Sequence, residues 1–310
     1  MLKFFINQFK KKKLKKNPKN FILCVGCQKG GTTWLSTQLR NHRNVDLGFR
    51  KEYHLFDSLY LEGEDRLKKK LIDKFSTCDL KATKSLKLAN LKTHLSFFGD
   101  PQKYFEYFDQ LYRNGNGNIH LVGDITPAYS GLPKEAFEFI KTGLEERGFK
   151  VKVVFIVRDP LERCWSSIRM ENRLKTKNNP KYKIKDDSLA VMNSYSNPNY
   201  EIRTRYEKTI KNLENVFHSE NIFYAVFEKF FNKKSMLDLG NFLELKDFSP
   251  KIDVKINYVE KKGSKIQEDV ARKLANYYSE TYYFCDSRFD VKELWSGFSY
   301  LSDNQAVKSL

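Results

Sequence analysis

The chain has 310 residues and a formal net charge of +18 at pH 7. With 40% apolar and 15% aromatic residues it is long and apolar enough to bury a full core, which excludes a disordered polymer. No apolar run approaches the roughly 20 residues of a membrane span, and five irregularly spaced cysteines exclude a disulfide framework.

The charge suits a polyanionic partner: nucleic acid, an acidic polysaccharide, a membrane surface or a multiply phosphorylated cofactor. Abundant Lys, Asn, Ile, Phe and Tyr are also what AT-rich coding produces, so charge alone assigns no function. Residues 1–19 read as a basic, flexible arm and 20–310 as a single domain. In that arm most positive charge follows the apolar patch, the reverse of a secretory signal, so a cytoplasmic location is expected.

Phe21 to Leu39, FILCVGCQKGGTTWLSTQL, reads as a buried strand, a glycine-rich turn and a helix. Gly26, Gly30 and Gly31 allow a sharp turn and close approach of a ligand. The following helix presents unpartnered N–H groups with partial positive charge, so the turn is a phosphate cradle. The spacing Gly26 to Gly31 is G-x-x-x-x-G, but a nucleotide-hydrolase P-loop continues with Lys and then Ser or Thr. Here Thr32 and Thr33 follow, and the lysine lies inside the loop at Lys29. The competing reading is an ordinary Gly-rich βα turn. Cys24 and Cys27 form C-x-x-C, but a thioredoxin-type pair opens its helix directly, and QKGGTT intervenes here. No second pair or His cluster offers a zinc site.

Asn44 to Asp57 mixes charged and aromatic residues without a period, as a loop lining a cleft does. Glu62 to Thr77 is expected to be helical. Asp100 and Pro101 open a helix whose stripe is Tyr104, Phe105, Phe108 and Leu111. Ile119 to Asp124 is a strand, and a helix opens at Pro133. Val151 to Val157 is a strand suited to burial on both faces. It leads into Arg158-Asp159-Pro160-Leu161-Glu162, with Asp159 as cap, Pro160 starting the helix and Glu162 closing a capping box. Arg173 to Asn199 reads as a flexible excursion or lid. A helix over 200–217, a strand over 222–227 and a helix over 236–245 follow. A capping box of Ser264 and Gln267 opens a further helix whose face carries Val270, Leu274, Tyr277 and Tyr278. Buried strands alternating with helices predict an α/β fold of the P-loop type, three layers with a central parallel sheet. Ligands then bind at the carboxyl ends of the strands, where the loops at Lys29, Asp124, Arg158 and Glu228 gather.

Arg158 at a strand end and Ser166 about two helical turns on form a second anchor for a phosphate, a planar fork with a hydroxyl donor. The alternative is a structural network of Arg158 with Asp159 or Glu162.

CQKGGTTWL followed by VRDPLERCWSS resembles the PAPS-dependent sulfotransferases, whose 5′-phosphosulfate loop and 3′-phosphate motif have these forms. RKEYHLFD, residues 50–57, and GDITPAYSGLP, residues 123–133, resemble segments of the glycan sulfotransferases. The resemblance covers residues 21 to 167 and is weak beyond 230. It implies that Lys29, Gly30, Gly31, Thr32 and Thr33 hold the 5′-phosphate and sulfuryl group. It also implies that Trp34 stacks on adenine, that Arg158 and Ser166 clamp the 3′-phosphate, and that Lys262 and Gly263 close on the cofactor phosphates. It makes Glu52 the catalytic base, with His54 beside it as the second candidate. No metal ligand is implied. Ile125 replaces a lysine of the glycan enzymes, and Phe227-Glu228 stands where cytosolic members have Tyr-Glu. The expected reaction is in-line transfer of a sulfuryl group from PAPS to a hydroxyl of a saccharide or other anionic or polar acceptor. The rivals are a P-loop kinase and a basic nucleic-acid-binding protein.

Overall fold

The computed structural model describes residues 19–77, 85–179, 181, 186–254 and 266–302. Its centre is one sheet of five parallel strands: β1 (Asn20–Gly26), β2 (Val45–Asp46), β3 (Leu121–Ile125), β4 (Lys150–Val157) and β5 (Ile222–Val226). Their order is β2-β3-β1-β4-β5. Alternate residues of a strand point to opposite faces, and here both faces are covered. Phe21, Leu23 and Val25 join Val153, Phe155 and Val157 in one core. Ile22 and Cys24 join Val154 and Ile156 in the other. Each fully buried Val, Ile or Phe contributes roughly 1.5–3 kcal/mol, so β4 anchors the sheet and fixes the residue at its end, Arg158.

The helices before β3 are α1 (Thr32–Arg40), α2 (Phe56–Tyr60), α3 (Arg66–Ser76), α4 (Leu86–Gly99) and α5 (Gln102–Asn114). Between β3 and β5 come α6 (Lys134–Glu145), α7 (Pro160–Asn178), α8 (Asp187–Met192), α9 (Pro198–Glu201) and α10 (Tyr206–Glu214). After β5 come α11 (Phe227–Phe230), α12 (Lys233–Phe242), α13 (Glu268–Tyr277) and α14 (Ser279–Phe289). α1 and α12 cover one face through Trp34, Leu35, Leu39, Met236 and Leu239. α5, α6, α7, α10, α13 and α14 supply the core of the other. The architecture is the α/β sandwich expected, a parallel sheet between two helical layers.

Several local expectations are corrected. Much of what is described of the excursion over 173–199 is helical: α7 runs on to Asn178, and Asp186 caps α8 by accepting from the Ser188 and Leu189 N–H groups, while residues 180 and 182–185 lie outside the described residues. Asn172 ties the two helices together with a 2.5 Å bond from Nδ2 to Asp187. Asp159 caps α7 as expected, accepting from the Leu161 N–H at 2.9 Å. Glu162 does not complete the box, because the Asp159 N–H points to Glu228 and Glu162 lies 3.5 Å from Arg158. Ser264 lies outside the described residues, and Gln267 stands at the N-cap of α13 without a side-chain cap bond. β2, α4 and α14 were not anticipated.

Candidate active site

The cradle follows from β1 ending in glycine. Gly31 stands at the N-cap of α1 with φ 82°, and Lys29 takes φ 70°. Both lie in the left-handed region that suits Gly, so Lys29 is held in a strained turn that aims its side chain. A Cβ on Gly31 would lie 2.4 Å from the Phe231 ring, which therefore packs directly on the loop. α1 carries no side-chain cap and no acidic residue in its first turn, so its N-terminal donors and partial positive charge remain available to an anion. Among the described residues the Lys29 ammonium contacts a weak acceptor, the Met170 thioether at 3.4 Å. Burial, with Arg173, Arg158 and Lys51 nearby, pushes its pKa down to about 8.

Arg158 reaches the same place from the end of β4. Its Nη1 donates to the Lys29 carbonyl at 2.8 Å, and its guanidinium lies 4.3 Å over the Phe227 ring. Arg158 Nε is buried without a partner among the described residues. The two sequence readings of Arg158 therefore coexist: it pairs loosely with Glu162 and still faces the cradle. Lys29, Thr32, Thr33, Arg158 and Ser166 all line one cavity of about 1050 Å³. Gly31 lines it too, while Gly30 is buried against Cys27 beneath the loop. Trp34 lies at the cavity wall, 5% exposed, with its indole N–H given to the Val254 carbonyl at 2.9 Å. It meets Phe231 edge-on at 5.2 Å, and Phe231 meets Phe227 at 5.0 Å. Of this aromatic wall the sequence named Trp34 and noted Phe227 in place of a Tyr, but Phe231 was missed. Phe227 stands at the carboxyl end of β5, a position that topology alone marks as a binding edge. Lys262 and Gly263 lie outside the described residues.

Glu52 enters from the loop between β2 and α2. The neighbouring Tyr53 is fully buried, and its N–H donates to Thr126 Oγ1 at 3.0 Å. Thr126 in turn donates to Asp124 at 2.6 Å, and Tyr104 and Tyr129 donate to the other Asp124 oxygen at 3.0 Å. Asp124 is thus a fully buried hub that fixes the Glu52 loop, while the loop after it reaches the binding edge as expected, with Pro127 and Ala128 lining the cavity. Burial raises its pKa to about 6 against three hydrogen bonds that lower it.

Glu52 lines the cavity with Lys51 and His54. It pairs with Lys51, and one oxygen lies 3.1 Å from His54 Nε2. His54 Nδ1 lies 2.6 Å from the buried Asp57. Burial opposes charge on both partners, yet the pairing prevails: Glu52 falls to about 2 and His54 rises to about 10. At neutral pH Glu52 is a carboxylate and His54 an imidazolium. The His54 contribution to stability is complete below the free imidazole value, about 6.5, and is lost as pH rises through about 10. The Glu52 contribution is present above about 4.5 and is lost as pH falls through about 2. An NMR titration should find His54 protonated throughout the range from about pH 6 to 8, where an ordinary histidine titrates. A His54 resonance shifting near 6.5 would contradict the array.

Among the described residues no cluster of three or more His, Cys, Asp or Glu could hold a metal ion, and no helix is long and apolar enough to cross a membrane.

The class defined by this architecture is an α/β fold with its anion cradle at the carboxyl edge of a parallel sheet. No protein-family model and no curated protein matches the sequence. Among solved structures, a sulfotransferase from Alicyclobacillus acidocaldarius is 18% identical, with a TM-score of 0.53 over 87% of this chain and 95% of that one. The chain therefore has the fold of that sulfotransferase. The sulfotransferase domain of the Synechococcus PCC 7002 olefin synthase also matches, at 14% identity and a TM-score of 0.41 over 85% of this chain and 96% of that one. A sulfotransferase from Mycobacterium avium matches at 11% and 0.39 over 85% and 68%.

Proposed function

We propose that this chain is a sulfotransferase that moves a sulfuryl group from PAPS to a hydroxyl of a saccharide or other anionic or polar acceptor. The observation that carries the reading is the convergence of Lys29, Arg158, Ser166 and Glu52 on one cavity. The residues fit a bisphosphorylated nucleotide. Among the described residues the Lys29 ammonium has no carboxylate within ion-pair distance, Arg158 Nε has no partner, and the start of α1 has no side-chain cap. Trp34, Phe227 and Phe231 form an aromatic surface of the kind that receives a base.

PAPS, when bound, supplies the activated sulfuryl group. Lys29 and the loop N–H groups bind its 5′ end and face the oxygen on which negative charge grows. Arg158 and Ser166 bind and orient its 3′-phosphate. Glu52, held ionised by Lys51 and His54, takes the acceptor hydroxyl proton on a carboxylate oxygen. His54 already carries its proton between Glu52 and Asp57, so the geometry favours Glu52 over His54 as base. Positioning and electrostatics dominate, as in phosphoryl transfer. No metal is assigned a role in this reading.

A second cavity of about 580 Å³ shares Lys51, Glu52 and His54 with the first and adds Phe49, Arg50 and Leu67. An acceptor lying there presents its hydroxyl to Glu52 and an anionic group to Arg50. Labelled sulfate from PAPS should pass to members of a panel of acidic and neutral saccharides, phenols and peptides. Arg50→Ala should raise KM for acidic acceptors roughly 10- to 100-fold, the worth of one charged hydrogen bond, and leave neutral ones unchanged. An equal change for both would remove Arg50 from acceptor binding. A kinase is disfavoured by Thr32 and Thr33 standing where its Lys and Ser/Thr belong. A nucleic-acid binder is disfavoured because the site's cations line a cavity rather than an open face. The cytoplasmic location is part of this proposal. It rests on Cys24, Cys27, Cys164 and Cys285 being buried thiols.

A further inference from the structure

The loop that delivers Arg158 is held from the far end of the chain. Asp159, 1% exposed, accepts four hydrogen bonds besides the helix it starts being built on it. One comes from the Leu161 N–H of its own helix at 2.9 Å. The other three come from beyond α13: Tyr282 Oη at 2.5 Å, Ser296 Oγ at 2.9 Å and the Gly297 N–H at 3.0 Å. The Asp159 N–H points to Glu228 Oε1 at 3.4 Å, and Glu228 Oε2 accepts from the buried Trp295 indole at 2.9 Å. Gly297 is required by the packing, since a Cβ there would lie 1.7 Å from Tyr282 Oη. Tyr206 completes the frame by donating to the Arg158 carbonyl at 2.9 Å.

We infer that the segment Trp295–Gly297 is the positioning element of the Arg158 clamp and thereby sets recognition of the 3′-phosphate. Among the described residues the Arg158 guanidinium has one carboxylate within ion-pair distance, Glu162 at 3.5 Å. Its fork is steered by the Lys29 carbonyl and the Phe227 ring, but where it starts from is set by its backbone, which Asp159 and Glu228 tie on the C-terminal side to Ser296, Gly297 and Trp295. A guanidinium recognises a phosphate through a planar fork, so small rotations lose the second hydrogen bond. Trp295 and Ser296 touch no nucleotide in this account. They act through Arg158, and the inference rests on the sulfotransferase reading above.

The test uses the full chain and two probes, 3′-phosphoadenosine 5′-phosphate and 5′-AMP, which differ by the 3′-phosphate. Ser296 is exposed, so Ser296→Ala removes one latch bond with little risk to folding. Trp295→Phe removes the bond to Glu228 while keeping an aromatic ring. Calorimetry should show each variant binding the bisphosphate about tenfold more weakly, the worth of one such hydrogen bond. Affinity for 5′-AMP should stay within about twofold. Equal loss for both probes would mean that the segment only holds the fold together, and unchanged bisphosphate affinity would mean that it does not position Arg158. Either result overturns the inference. If the unmodified chain does not prefer the bisphosphate to 5′-AMP, the sulfotransferase reading fails, and the inference fails with it.

Discussion

Glu52→Gln should lower turnover by about 10²- to 10⁴-fold, the range for loss of a positioned general base, and leave 3′-phosphoadenosine 5′-phosphate binding within about twofold. Gln keeps the shape of the side chain but cannot accept a proton at neutral pH. The loop itself is fixed elsewhere, by the Tyr53 N–H on Thr126 and by Asp124 behind it, so the substitution should not displace its neighbours. Lys51 and His54 hold Glu52 near pKa 2 in the free protein, so kcat/KM should show no acid limb from this group until pH approaches that value. A strong pairing also makes Glu52 a weak base. It is suited to take a proton late, once the acceptor oxygen is already bonding and its hydroxyl has become acidic. Turnover by Glu52→Gln equal to that of the unmodified chain would remove Glu52 from the mechanism.

Lys29→Ala should reduce kcat by about 10²- to 10³-fold, as removal of one preorganised donor to a developing oxyanion does, and should weaken nucleotide binding as well. The direction of the pH effect follows from burial and from Arg158 and Arg173. These push the Lys29 ammonium to about 8 in the empty cavity. An anion bound beside it favours the charged form and raises that value again. Above about pH 8 the free protein must therefore take up a proton on binding, so affinity for the bisphosphate should fall as pH rises through this range. Lys29→Ala should abolish that dependence. A pH profile that is the same in the two proteins would show that Lys29 does not face the phosphates.

The central strands were legible because burial on both faces leaves a continuous apolar run, as in VKVVFIV, and the cradle because glycine and lysine interrupt such a run just before a helix. β2 was not legible: two residues carry no period, and Val45 and Asp46 are strand only because β3 lies beside them. α7 was cut short for another reason. The polar stretch after Arg173 has no apolar stripe, and what holds it is the Asn172 bond to Asp187, a contact invisible to a window of neighbouring residues. The hub role of Asp124 was not legible, because its partners are not all neighbours in sequence. Two of its three donors, Thr126 and Tyr129, are close in sequence, but Tyr104 comes from another helix, and together they account for the buried carboxylate. The aromatic wall of Phe227 and Phe231 and the C-terminal latch depend on contacts across up to 200 residues, which only the fold brings together.

The central claim is that the cavity is a clamp for a nucleotide carrying both a 5′- and a 3′-phosphate. Calorimetry in the presence of a chelator tests it most directly, with 3′-phosphoadenosine 5′-phosphate titrated into the full chain and ATP with magnesium as the comparison. Tight binding of the bisphosphate without any divalent ion is expected, with much weaker binding of magnesium-ATP. Magnesium-dependent binding of ATP with no measurable affinity for the bisphosphate would contradict it.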